Sequence, residues 1–452
     1  MKKSLLFATI LSVTFGACAQ QTTERPVTNI STPEWSTDAT IYEVNIRQFS
    51  KEGTFAAFQK ELPRLKAMGV EILWLMPIHP IGMKNRKGSL GSYYAVRDYK
   101  AVNPEYGTKD DFKNLVNAVH QLDMKIIIDW VPNHTSPDAV WVDQGHKDWY
   151  TLDSTGNLQP TIGTDWWDVA DLNYDSKEMR SAMIGSMKYW LTDFDIDGFR
   201  CDVADWVPVD FWKEARVELD KVKNVFMLAE AENPVHHQVC FNMSYGWEFH
   251  SIMNKIAKGE KSAADIFTYF EKENKNFPTN AYRMQFTSNH DENSWNGTEM
   301  ERMGEGRFAF AVLAGTINGM PLVYNGQETS LDKRLRFFEK DTIDWSKMDM
   351  VDFYTKLLGL HKTNPALWNG AAGGDLTFLT TPENKEFIAY TRTNGENQVV
   401  VFINLSNKGQ IFTYNSAKIC GKYTNLFSGK KGKLKNKGTM ELPAWGYQVY
   451  SK

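Results

Sequence analysis

The chain has 452 residues, 42% of them hydrophobic, which is enough for one large domain with smaller appendages and a sizeable buried core. Its 51 Lys and Arg stand against 55 Asp and Glu, and the formal net charge of -4 argues against a nucleic-acid partner and against a strongly acidic surface. A neutral substrate suits that balance.

The predicted elements begin with an export signal. Met1-Lys2-Lys3 is a charged start, Leu5 to Phe15 is an apolar run too short to span a membrane, and small residues follow. Phe15-Gly16-Ala17-Cys18 resembles a bacterial lipobox, in which Cys18 carries the lipid and becomes the first mature residue. Ala17-Cys18-Ala19 also fits an ordinary cleavage site that would release a soluble secreted protein. The expectation is an exported chain, lipid-anchored in a bacterial envelope membrane at the periplasmic face or cell surface, with residues 1–18 as signal and 19–36 as a Thr- and Pro-rich tether. The anchor is the only membrane contact expected. Cys201, Cys240 and Cys420 show no disulfide framework.

From Ala39 onward, apolar strand-like runs alternate with helical patterns. The runs are Ile41 to Ile46, Glu71 to Met76, Lys125 to Asp129, Gly198 to Asp202, Val225 to Glu230, Val239 to Met243, Met284 to Asn289 and Pro321 to Tyr324. Helical spacing follows each except the poorly defined sixth, for example over Phe55 to Met68, Lys109 to Leu122 and Lys177 to Leu191. This order predicts an α/β fold, a closed (β/α)8 TIM barrel over residues 37–131 and 176–370. Residues 132–175, with Trp141, Trp149, Trp166 and Trp167 and little periodicity, read as a short inserted domain after the third strand. Residues 371–452 turn to short alternating strands with Gly and Asn turns, which predicts a C-terminal antiparallel β-sandwich; the basic run Lys430 to Lys437 reads as a solvated hairpin tip.

Three carboxylates stand where strand-like runs end: Asp202, Glu230 and Asp291. Barrel enzymes assemble their sites at that end of the strands, and a carboxylate pair is the minimum machinery for cleaving a glycosidic bond. Arg200 lies two residues before Asp202 and shares its side of the strand, where its guanidinium favours the ionised carboxylate. Cys201, between them, faces the other way and packs. Glu230 follows apolar and small residues, and burial can keep such a carboxyl protonated.

Six ordered motifs carry a resemblance to the α-amylase family of glycoside hydrolases (family thirteen) that covers the chain beyond the tether. They are Asp129-Trp-Val-Pro-Asn-His134, Ala170-Asp-Leu-Asn173, Gly198-Phe-Arg-Cys-Asp202, Glu230, Phe286-Thr-Ser-Asn-His-Asp291 and Gly319-Met-Pro-Leu-Val-Tyr-Asn-Gly-Gln-Glu328. The resemblance implies Asp202 as nucleophile, Glu230 as general acid/base and Asp291 as a holder of sugar hydroxyls. It implies His134 and His290 as hydrogen-bonders of the sugar in the cleavage subsite and Tyr93 as its stacking platform. Arg200 belongs to the same substrate-binding set, with Asp129 a structural partner for it.

The activity so implied is retaining hydrolysis of α-1,4-glucosidic bonds in starch-like glucans or maltooligosaccharides through a covalent glycosyl-enzyme. Neopullulanase, cyclomaltodextrinase, α-1,6-glucosidase and glucanotransferase activities are alternatives; Val203 after the nucleophile resembles the α-1,6-glucosidases. A non-catalytic glucan-binding lipoprotein is a more remote alternative, against which the intact Arg200, Asp202, Glu230 and Asp291 argue. The chemistry needs no cofactor and no catalytic metal. A structural calcium is left open, since in the short inserted segment only Asn133 and Asp171 align with family ligands. Asp205 and Trp206 replace the Lys-His pair of many family members, so Trp206 offers a stacking surface where they have hydrogen bonds.

Overall fold

The structure, a computed structural model, describes residues 28–452; the export signal and Cys18 lie outside the described residues. Eight strands form the barrel: β1 (Ile41–Val44), β2 (Ile72–Leu75), β3 (Lys125–Trp130), β4 (Gly198–Cys201), β5 (Phe226–Ala229), β6 (Met243–Tyr245), β7 (Tyr282–Gln285) and β8 (Met320–Tyr324). Each pairs in parallel with its sequence neighbours, and Ile41 opposite Leu322 closes β8 onto β1. The strands are near-continuous apolar runs because both their faces are covered. Ile41, Ile72, Trp74, Ile127, Leu228, Met284 and Leu322 fill the barrel, while the alternate residues Tyr42, Leu73, Ile126, Ile128, Phe199, Cys201 and Met227 pack outward under the helices.

One glycine sets a strand spacing. A Cβ on Gly198, at the start of β4, would lie 1.9 Å from the Phe226 carbonyl oxygen on β5. No larger residue fits there without moving a strand.

Three expectations are corrected. The sixth strand is Met243–Tyr245 rather than Val239 to Met243, because His236–Val239 forms a helical turn and Asn242 spends its side chain on the Met227 amide. Helices Trp247–Ala257 and Ala263–Asn276 then follow it. The helix expected over Phe55 to Met68 is two, Phe55–Gln59 and Leu62–Met68, since Pro63 lacks an amide donor and is tolerated only in a first turn. Packed chain also begins before residue 37. The Ser31 carbonyl accepts from Arg216 Nη2 at 2.8 Å and Asn242 Nδ2 at 2.9 Å, and the Trp35 ring lies 5.6 Å from Phe226 at the base of the barrel.

The inserted segment is held by a two-residue ladder, His134–Thr135 against Ala170–Asp171. The C-terminal domain is a six-stranded antiparallel sheet faced by the two-stranded antiparallel sheet Gln410–Asn415/Lys437–Leu442, with Phe387, Val400, Phe402, Phe412, Tyr414 and Leu442 between them. Buried Arg392 ties this domain to the barrel through the Ile317 carbonyl at 2.8 Å, and its Nε holds the Gly374 carbonyl of its own domain at 3.0 Å. Among the described residues no helix is long and apolar enough to cross a membrane.

Candidate active site

Asp202 directly follows β4 and Glu230 directly follows β5, so both carboxylates stand at the C-terminal mouth. Arg200, on the inward side of β4 and fully buried, gathers them. Its Nη1 donates to Asp129 Oδ1 at 2.8 Å and to Asp202 Oδ1 at 3.0 Å, and its Nη2 lies 2.9 Å from Glu230 Oε2. The guanidinium sits 5.1 Å from the Trp74 ring, 5.7 Å from Tyr245 and 5.8 Å from Tyr94, an aromatic cage that holds it in place.

One cation facing three carboxylates changes the electrostatic expectation for Asp202. Burial, then the neighbouring Glu230 charge, push its carboxyl well above the usual range against the pull of Arg200. Burial likewise lifts Asp129 to about 6 although Arg200 opposes it. Asp129 and Asp202 share the one Arg200 guanidinium, so their titration belongs to the group rather than to either residue.

Val203 locks this pair. It occupies the left-handed region at φ 38° and ψ 47°, unusual for a β-branched side chain, and its amide donates to Glu230 Oε2 at 2.7 Å. Such strain costs on the order of 1–3 kcal/mol and is retained where the surroundings enforce it.

His290, in the connection after β7, lines the same cleft as Asp202. Its Nδ1 is 2.5 Å from Glu43 Oε1, and its Nε2 is 2.7 Å from the Tyr94 hydroxyl and 3.3 Å from Asp291 Oδ2. Burial alone would lower its pKa, but Asp291 and Glu43 outweigh burial and raise it to about 9, so the ring is an imidazolium. Tyr94 Oη in turn donates to Asp129 Oδ2 at 3.0 Å. His134 is the opposite case: burial lowers it to about 4, leaving a neutral ring against Trp166.

The structure thus brings together Asp202, Glu230, Asp291, Arg200, His134 and His290, but not Tyr93. Tyr94 lines the cleft and stacks on His290 at 5.5 Å, whereas Tyr93 points away, its hydroxyl taking Asn45 Nδ2 at 3.2 Å and its ring under Arg47 at 4.2 Å. The tight turn closed by the Ala95 amide on the Ser92 carbonyl sends the adjacent side chains to opposite sides. Glu43 also escaped the motifs; its signal was a carboxylate on the inward alternation of an otherwise apolar strand. Asp202, Glu230, Asp291, His134, His290 and Tyr94 line a cleft of about 510 Å³, rimmed by Trp166, Trp167, Trp295, Phe337 and Phe338. An apolar ring face can stack on that rim while carboxyl groups and hydrogen-bond donors meet at its floor.

A family model described as "Alpha amylase, catalytic domain" matches residues 28–373. The chain belongs to the α-amylase family. It is an enzyme of the glycoside-hydrolase class, and an α-glucan substrate is consistent with its relatives. Alpha-amylase 2 of Dictyoglomus thermophilum is 26% identical over 446 residues, spanning 89% of this chain and 75% of that one. Among solved structures, a noncanonic maltogenic alpha-amylase from Thermotoga neapolitana is 30% identical with a TM-score of 0.84, over 92% of this chain and 98% of the other. An alpha-amylase from Lactobacillus plantarum is 31% identical with a TM-score of 0.81, over 92% and 99%.

Within this α-amylase fold, the two calcium candidates do not suit a hard cation. Asp171 Oδ1 accepts from the Thr161 hydroxyl at 2.9 Å and Oδ2 from the Thr151 hydroxyl at 2.7 Å, while Asn133 Nδ2 faces Thr161 Oγ1 at 2.8 Å. Calcium takes six to eight oxygens, and here the carboxylate is already used by hydroxyls and the amide presents its nitrogen. Among the described residues no cluster of three or more His, Cys, Asp or Glu offers another site. Asp205 is also engaged, with Oδ1 2.6 Å from His236 Nε2, and half-exposed Trp206 stacks on Trp166 at 5.3 Å.

Proposed function

We propose that this chain hydrolyses α-1,4-glucosidic bonds of maltooligosaccharides and starch-like glucans with retention of configuration. Asp202 attacks the anomeric carbon while Glu230 gives its proton to the departing glycosidic oxygen, leaving the glycone esterified to Asp202. Glu230 then takes a proton from water, whose oxygen attacks the same carbon and frees the Asp202 carboxylate. Asp291 and the His290 imidazolium hold hydroxyls of the sugar bound over Tyr94. The observation that carries the reading is Arg200, whose two terminal nitrogens contact Asp202 and Glu230 at 3.0 and 2.9 Å. Carboxylates gathered on one guanidinium suit a retaining pair, which is more closely spaced than an inverting one. We also propose that the chain is exported and lipid-anchored through Cys18, which metabolic lipid labelling of the Cys18→Ser variant checks.

Asp202→Asn should lower kcat by ~10⁴-fold or more while leaving oligosaccharide binding intact. Hydrolysis within tenfold of the parent would refute the nucleophile assignment. Product profiles on amylose, pullulan, a cyclodextrin and isomaltose test the linkage, with amylose expected to be the preferred substrate.

A further inference from the structure

In the ring of strands β5 lies across from β1, and β4 across from β8. Glu230, after β5, must stand beside the leaving group, so a bound glucan runs over the mouth with its non-reducing part directed toward β1. That direction rests on the proposed roles of Asp202 and Glu230. The two connections flanking β1 there are those after β2 and β8.

A strap from the β2 connection, residues 82–91, spans that side. Lys87 Nζ is 2.9 Å from Asp168 Oδ1, whose carboxylate is buried, and 4.5 Å from the Trp167 ring; Asn85 Nδ2 donates to the Trp167 carbonyl at 3.0 Å. These contacts fasten one edge of the strap to the inserted segment. On the other edge the Leu90 amide donates to the Phe338 carbonyl at 3.0 Å, and the Ser89 amide and hydroxyl both bond Glu339. A Cβ on Gly88 would lie 2.5 Å from Phe338 Cβ, so the strap is pressed against the β8 connection without a gap. Arg47 ties down its end through the carbonyls of Leu90 and Gly91 at 3.3 and 3.2 Å. The result is a continuous wall, and Lys87, Trp167 and Phe338 of that wall line the cleft.

We propose that the strap closes the glycone end of the cleft, so that the enzyme works from the non-reducing end of a glucan and releases a short product of one dominant length. An internal stretch of chain cannot thread a cleft walled at that end. A chain terminus can, and the Lys87 ammonium at the wall is placed to meet its terminal hydroxyls.

The test compares two maltoheptaosides, one free and one carrying a 4,6-O-acetal on its non-reducing glucose, with consumption and product lengths followed by chromatography. The free compound should disappear at least about tenfold faster and yield one dominant short product from the first minutes. Equal rates, or a ladder of product lengths, overturn the proposal. Consumption of neither compound overturns the hydrolase reading and the inference with it. The double variant Lys87→Ala/Ser89→Ala, which loosens both edges of the strap, should admit the blocked substrate and lengthen the products. An active variant with an unchanged free-to-blocked ratio would show that the strap does not set the specificity.

Discussion

Glu43 shows how a single buried residue can govern a site without a place in any contiguous motif. It lies 2.5 Å from His290 Nδ1, and its other oxygen has no hydrogen-bond partner among the described residues. Glu43→Gln keeps the shape and removes one of the two charges that hold His290 protonated. The alkaline limb of kcat/KM, which reports the free enzyme, should move down by about one pH unit, as a profile from pH 5 to 10 checks. Stability follows the same linkage. The raised His290 pKa contributes stability that is fully present below its ordinary value of 6.5 and is lost as pH rises through about 9. Urea unfolding across that window should show a smaller pH-dependent loss for Glu43→Gln than for the parent. Asp202 and Glu230 were legible in the sequence because each directly follows its strand, and Asp291 because it closes a contiguous motif beyond β7. Glu43 was not, since its partner lies 247 residues away, and Tyr94 was confused with its neighbour because a turn reverses side-chain direction within one residue.

At the scale of elements, the inserted segment is joined to β3's extension by hydroxyls. Thr161 bridges Asn133 and Asp171, and Thr151 takes the remaining Asp171 oxygen. A strong chelator should therefore leave the melting temperature unchanged, whereas Thr161→Val should cost about 1 kcal/mol by leaving partly buried polar groups unpaired. Differential scanning calorimetry with and without chelator distinguishes the two; a chelator-induced drop would restore a cation to this junction. The barrel strands themselves were readable as apolar runs because both faces are buried. β6 was not, being three residues long with Ser244 at its centre, too short for a period to show. The strap of residues 82–91 was equally silent, since its role arises from partners on two other connections.

At the scale of the whole molecule, the C-terminal domain and the barrel share buried polar contacts as well as apolar ones. Arg392 reaches the barrel's Ile317 carbonyl, and burial lowers its pKa to about 10; nearby, the Thr316 and Tyr390 hydroxyls meet at 2.7 Å. Arg392→Met should destabilise the protein by about 1–3 kcal/mol, since it strands two carbonyls, while leaving kcat little changed. Chemical denaturation with parallel activity assays checks both. A variant as stable as the parent would mean that the apolar contacts alone hold the domains together.

The smallest side chain in β4 has a long reach. Because Gly198 lets β4 and β5 touch at the floor, those strands arrive at the mouth with Asp202 and Glu230 on the same guanidinium. A methyl group there would act as a shim, prying the strands apart and splaying the pair they carry. In glycosidases a few ångströms of splay divide one anomeric outcome from the other. The spacing of the two carboxylates is thus gauged from the bottom of the barrel, a strand's length from the cleft.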